Sequence, residues 1–110
     1  MLTRVVADEW GYAGVRGNSV LPGLILTGTA APLTENVAVR EGFMRQTPLG
    51  RLGEPADLAR CIAFLLSDNA NLFAGQCWGV DGGLSLRGIP AAVRGDVLRE
   101  LILDFFPDAE

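Results

Sequence analysis

The chain has 110 residues, 49% apolar and 20% charged, with a formal net charge of -4. That mix excludes a disordered polar chain and fits one packed domain or a part of one, because the apolar share is high for so small a unit. All nine cations are arginines scattered along the chain, so there is no basic run of the kind that binds nucleic acid.

No apolar stretch reaches the ~18–20 residues of a membrane span. The opening MLTRVVADEW is amphipathic and carries acids, unlike a secretory leader. A cytoplasmic protein with no membrane or nucleic-acid partner is the expectation. The two cysteines, Cys61 and Cys77, form no CxxC pair and read as small buried apolar residues. The chain has no histidine, so a metal site is not expected.

In chain order, Leu2, Val5, Val6 and Trp10 recur at helical spacing and predict an amphipathic helix. It stops at Gly11 or Gly14, where a residue without a Cβ turns left-handed. No capping residue precedes it, so it reads as the second half of a longer helix. Val15 to Leu21 fits a short strand, weakened by Gly17. Thr29 to Thr47 reads as a loop with a helical turn or two around Val37 to Met44.

EPADLARCIAFLLSD is the clearest element. Pro55 suits a first helical position, and Glu54 and Asp57 suit the positive end of the helix dipole. Leu58, Cys61, Ile62, Leu65 and Leu66 form its apolar stripe, over about Pro55 to Ser67. Gly75 to Val80 reads as a second strand, closed by the turn Asp81-Gly82-Gly83. A final helix is marked by Val93, Val97, Leu98, Leu101, Ile102 and Phe105, with Asp96 as its cap and Pro107 past its end.

A strand, a long helical crossover and a second strand imply parallel pairing and an α/β class. Parallel strands are normally buried on both faces within a larger sheet. Two alone imply sheet neighbours outside this chain.

Ligands of open α/β sheets bind beyond the carboxyl ends of the strands. NSVLPGLILT puts Pro22, Gly23, Ile25 and Thr27 there. Gly23 lets backbone approach a flat ligand and Pro22 stiffens the approach. The amide and carbonyl of Ile25 and the hydroxyl of Thr27 suit a carboxamide. A plainer reading stands beside this one: a turn at the strand end, with Thr27 capping the element that follows.

NSVLPGLILT resembles the N-x-x-x-P-G-x-x-x-T segment of the short-chain dehydrogenase/reductase family. TPLGRLGEPADLARCIAFLLSD and GQCWGVDGG resemble that family's P-L-G-R-x-G-x-P helix and its G-Q-x-x-x-V-D-G-G strand and turn. The three motifs occur in the family's order, across roughly Met1 to Leu86. The resemblance implies the carboxyl-terminal part of a Rossmann-like, doubly wound parallel sheet over residues 1–86; the tail over 87–110, helical by its own apolar stripe, has no counterpart in these motifs. It implies an oxidoreductase that uses NAD or NADP on an alcohol or carbonyl substrate. Pro22 and Gly23 would wall the nicotinamide ring, Ile25 would bind its carboxamide through the backbone, and Thr27 through its hydroxyl. Thr29 to Thr47 would be the substrate-covering loop. The second strand and the helix before it would join a subunit interface around Trp78.

The sequence departs from the pattern in places. Gly17 stands where an apolar residue is usual, Leu21 where a smaller one is, and Asp57 where glutamate is commoner. The family's glycine-rich phosphate loop has no counterpart, since GYAGVRG has the wrong spacing. The family's proton-transfer pair is a tyrosine with a lysine four residues on, and this chain has no lysine. Tyr12 with Arg16 copies only the spacing. No catalytic residue is therefore assigned. Without histidine no Ser–His–Asp triad is available, Asp8 and Glu9 read as a solvated helix face, and Asp81 reads as a turn former.

Two expectations follow. One is an oxidoreductase part, inactive alone, that completes a nicotinamide site together with a complementary amino-terminal part. The other is a non-catalytic module that associates with itself or with a relative through its apolar helix faces.

Overall fold

A computed structural model of the protein describes residues 1–87 and Leu103. The expected tail helix marked by Val93 to Phe105 lies outside the described residues, apart from Leu103, which is helical. The element order is α1 (Leu2–Trp10), β1 (Ser19–Pro22), α2 (Ala31–Thr34), α3 (Val37–Gln46), α4 (Pro55–Leu66) and β2 (Cys77–Val80). Short 3-10 turns stand at Gly11–Ala13, Asp68–Ala70 and Leu84–Leu86. The chain is α/β, as its pattern predicts, and it divides into two compact units. One comprises Met1–Pro22 and Pro55–Val80; the other comprises Gly23–Glu54 and the described residues from Asp81.

In the first unit β1 and β2 pair in parallel, in register from Ser19↔Cys77 to Pro22↔Val80. α4 packs on both strands. β1 starts four residues later than Val15, and the reason lies in side chains. Arg16 turns its guanidinium onto the end of α4, donating to the Leu65 carbonyl at 2.9 Å, to Ser67 at 3.3 Å and to Phe73 at 3.4 Å. Asn18 donates to the Phe73 carbonyl at 2.8 Å and accepts from the Gln76 amide at 3.3 Å. These bonds tie residues 16–18 to the end of α4 and to the stretch before β2. β2 starts at Cys77 because Gly75 is left-handed, with φ 71. Its amide reaches the Gly17 carbonyl at 2.6 Å.

α1 ends at Trp10 and Gly14 turns left-handed at φ 79, as expected of that glycine. Of its predicted stripe only Val6 turns inward. A Cβ on Gly17 would stand 3.2 Å from Val6 Cγ1, and one on Gly75 would stand 3.3 Å from Ala7 Cβ. The hydroxyls of Thr3 and Ser19 are hydrogen bonded. Thr3, Val6 and Ala7 therefore face the strands, closest where two glycines lie beneath them. Leu2 and Trp10 remain 76% and 54% exposed. On α4 only Leu65 of the predicted stripe is buried; Ile62 and Leu66 are exposed. Phe73 packs between Phe64, edge-on at 5.4 Å, and Trp78 at 5.1 Å. The cysteines depart from expectation: Cys61 is half-buried and Cys77, at the start of the short β2, is exposed.

In the second unit, the stretch expected to be mainly loop is largely helical. Asn36 explains α3: its side-chain oxygen accepts from the Val39 amide at 3.1 Å, an N-cap. Ten residues of helix follow, and Val39 and Phe43 join Leu52 in a buried cluster. Leu24, Leu33 and Leu84 pack around it. Thr47 ends α3, with its hydroxyl donating to the Phe43 carbonyl at 2.7 Å. The Asp81-Gly82-Gly83 turn forms as predicted, with φ 63 at Gly82 and 91 at Gly83.

Candidate functional site

Pro22 is the last residue of β1 and is exposed, paired in register with Val80. A proline suits a strand end, where its missing N–H breaks no ladder. The chain continues into the second unit as Gly23–Thr27.

Gly23 faces Asp81. A Cβ at Gly23 would stand 2.8 Å from both the Cα and the Cβ of Asp81, so the chain needs glycine there for packing within the unit. Ile25 is 8% exposed and forms a single parallel bridge with Gly53. The Gly53 amide donates to the Leu24 carbonyl at 2.9 Å, and the Leu26 amide donates to the Gly53 carbonyl at 2.8 Å. In a parallel bridge of this kind, the amide and carbonyl of the middle residue point away from the partner strand. Ile25 thus turns one N–H donor and one C=O acceptor to its far edge, with no backbone partner among the described residues. Its side chain occupies the space that a Cβ on Gly53 would need.

Thr27 is exposed, and its hydroxyl oxygen accepts from the Ala30 amide at 3.3 Å, beside a 3.1 Å bond from the same amide to the Thr27 carbonyl. Thr27 therefore starts the turn that leads into α2. The hydroxyl proton remains available to donate.

Asp81 stabilises the turn after β2. Its Oδ1 accepts from the Gly83 amide at 2.9 Å and its Oδ2 from the Ser85 amide at 3.0 Å. These bonds, that from the Ser85 backbone first, hold the carboxyl below its ordinary value. Its turn-forming role, read from the DGG triplet, is what the structure shows.

Gly23, Ile25 and Thr27 fall within one five-residue segment of the second unit. Reasoning from sequence passed over Gly53 and gave Asp81 no link to Gly23. The signal for Gly53 was the G-R-L-G run, whose second glycine sits where a side chain crosses. Among the described residues no group of three His, Cys, Asp or Glu side chains could hold a metal ion. None of their helices is long and apolar enough to cross a membrane.

Solved structures superpose on this chain. A short-chain type dehydrogenase/reductase from Mycobacterium ulcerans superposes with a TM-score of 0.80 at 38% identity, over 97% of this chain and 37% of that one. A 4-hydroxyisoleucine dehydrogenase complexed with NADH gives a TM-score of 0.74 at 33% identity, over 77% of this chain and 35% of that one. A tropinone reductase homolog of Arabidopsis thaliana is 42% identical over 87 residues, 79% of this chain and 34% of that protein. The chain spans about a third of the length of the curated relatives it matches. The two parallel strands and flanking helices correspond to part of the Rossmann fold of these neighbours. The family model described as enoyl-(acyl carrier protein) reductase matches residues 1–85, and the chain belongs to the short-chain dehydrogenase/reductase family.

Proposed function

We propose that this chain forms the nicotinamide side of an NAD(P)-dependent oxidoreductase acting on an alcohol or carbonyl substrate. The observation that carries the reading is the far edge of Ile25. One backbone donor and one acceptor, presented side by side, match the oxygen and the amino group of a carboxamide. The chain's residues fit such a group: Ile25 would hold it through the backbone, Thr27 would add a hydroxyl donor, and Pro22 and Gly23 would border the ring. The cofactor, when bound, would supply or accept the hydride. Everything else here is positioning: Gly53 fixes the edge, and the buried Ile25 side chain keeps it from rotating.

The same reading makes the chain inactive by itself. It has no lysine and therefore no tyrosine–lysine proton-transfer pair, and no glycine-rich phosphate loop. A complementary amino-terminal part would provide both. NMR titration of the chain with reduced nicotinamide mononucleotide tests the reading. The expected result is weak binding that shifts the Ile25 and Leu26 amides, with no turnover of small ketones by NADH or NADPH. No shift at Ile25 at millimolar ligand, or robust turnover, overturns it.

A second reading, a non-catalytic association module, is favoured by the exposed apolar residues of α1 and α4, among them Leu2, Trp10, Ile62 and Leu66. Burying one such side chain contributes about 1.5–3 kcal/mol, so a few of them suffice for association. Native mass spectrometry of the chain, alone and mixed with an intact relative of the family, tests it: this reading requires a dimer or a mixed complex, and a stable monomer in both samples removes it.

A further inference from the structure

We infer that the Asp81-Gly82-Gly83 turn is the positioning element of the Ile25 edge, holding it through Gly23 on one side and through the segment after α3 on the other. Each residue of the turn has a close neighbour in its own unit. Asp81 Cα lies where only a glycine fits opposite, at Gly23. A Cβ on Gly82 would stand 2.7 Å from Thr47 Cγ2, and one on Gly83 would stand 2.8 Å from Pro48 Cγ. The Gly82 carbonyl accepts from the Leu49 amide at 3.1 Å. Leu84, next in the chain, packs against the cluster of Val39, Phe43 and Leu52. Gly23 lies two residues before Ile25, and Leu52 directly precedes Gly53, its bridge partner. Both strands of the bridge are thus tied to this one turn.

The turn needs its carboxylate. Gly82 and Gly83 both sit at positive φ, a conformation with few preferences of its own in glycine. The two bonds from the Gly83 and Ser85 amides to Asp81 select it. Asp81 acts on the edge through Gly23, so it is a positioning residue. The inference rests on the proposed function only for what the edge is used for.

Amide hydrogen exchange on the full chain tests it. The Leu26 and Gly53 amides report the bridge, while the Ser19 and Gly75 amides, bonded to Gln76 and Gly17, report the other unit. Asp81→Ala and Gly23→Ala are each expected to speed exchange at Leu26 and Gly53 by about tenfold or more, with Ser19 and Gly75 within about twofold of wild type. Asp81→Asn, which keeps one acceptor oxygen, is expected to fall between. Wild-type rates at Leu26 and Gly53, or equal acceleration at all four amides, overturn the inference. If the Asp81→Ala chain does not fold, the other two variants decide by the same comparison. Selective acceleration in a chain that shows no nicotinamide shift at Ile25 supports the positioning role and removes only the functional reading.

Discussion

In the unit that contains the sheet, α1 buries no residue and α4 buries Leu65 alone. In the other unit α3 buries Val39, Gly42 and Phe43, and these pack with Leu52 into the apolar cluster. The first unit has the sheet and the second has the buried apolar cluster. Polar staples do much of the joining in the first. Arg16 and Asn18 together reach the carbonyls of Leu65, Ser67 and Phe73. Close glycine contacts and apolar packing join the second. A helix stripe in a sequence thus reports what the helix is suited to cover, which need not lie within the same chain. Both strands also include exposed residues, Leu21 and Pro22 in β1 and Cys77 and Gly79 in β2, whereas parallel sheets are ordinarily covered on both faces. That contrast fits a chain that spans about a third of its relatives.

The contrast can be broken most sharply at Phe43. Phe43→Ala is expected to cost about 3–5 kcal/mol in the second unit, the usual loss for emptying a buried aromatic site. Exchange at the Leu26 and Gly53 amides should rise accordingly while Ser19 stays near its wild-type rate. Equal loss at Ser19 would mean that the two units unfold together.

Arg16→Ala is the matching test of the first unit. Charge-assisted bonds contribute about 1.5–3 kcal/mol, and this guanidinium makes several to one helix end. The Ser19 and Gly75 amides should lose protection by a corresponding factor. Arg16→Lys should recover less than half of it, because a single ammonium has no planar fork to span separate carbonyls.

A smaller effect is expected from pH. The Asp81 carboxyl is held below its ordinary value of 3.8 in the folded chain, by the Ser85 and Gly83 amides. A depressed folded value means that its contribution is fully present above the unfolded value and is lost as the pH falls through the folded one. Unfolding midpoints measured from about pH 6 down to about pH 2 should therefore decline at the acid end. Asp81→Asn should flatten part of that decline, and an unchanged profile would remove Asp81 as its source. Asp81 is only half-buried, so the change is modest.

The smallest effect is expected on α1. Trp10 is 54% exposed, and Trp10→Gln should change stability by no more than about 0.5 kcal/mol in the monomeric chain. A larger loss that grows with protein concentration would show that another molecule covers this face, and would sharpen the contrast between the units.

Much of this was legible in the sequence. α4 was readable within one residue, because Pro55, the acids near it and an apolar stripe act locally. The left-handed turn at Gly14 and the Asp81 turn were readable for the same reason: positive φ and a carboxylate two residues before a glycine amide are short-range matters. α3 was only half legible: a helical turn or two was expected around Val37 to Met44, and the Asn36 cap that starts the helix was not read.

α1, α4, the two parallel strands, the α/β class and the family motifs were determined by the sequence alone, since periodicity and turn chemistry act over a few residues. Tertiary structure alone decided which faces are buried, where β1 begins, and why residues 23 and 53 must be glycine. Those outcomes depend on atoms far apart in the chain: Val6 over Gly17, Arg16 at the end of α4, Asp81 against Gly23 and Ile25 across Gly53. No window of neighbouring residues contains both partners of any such contact.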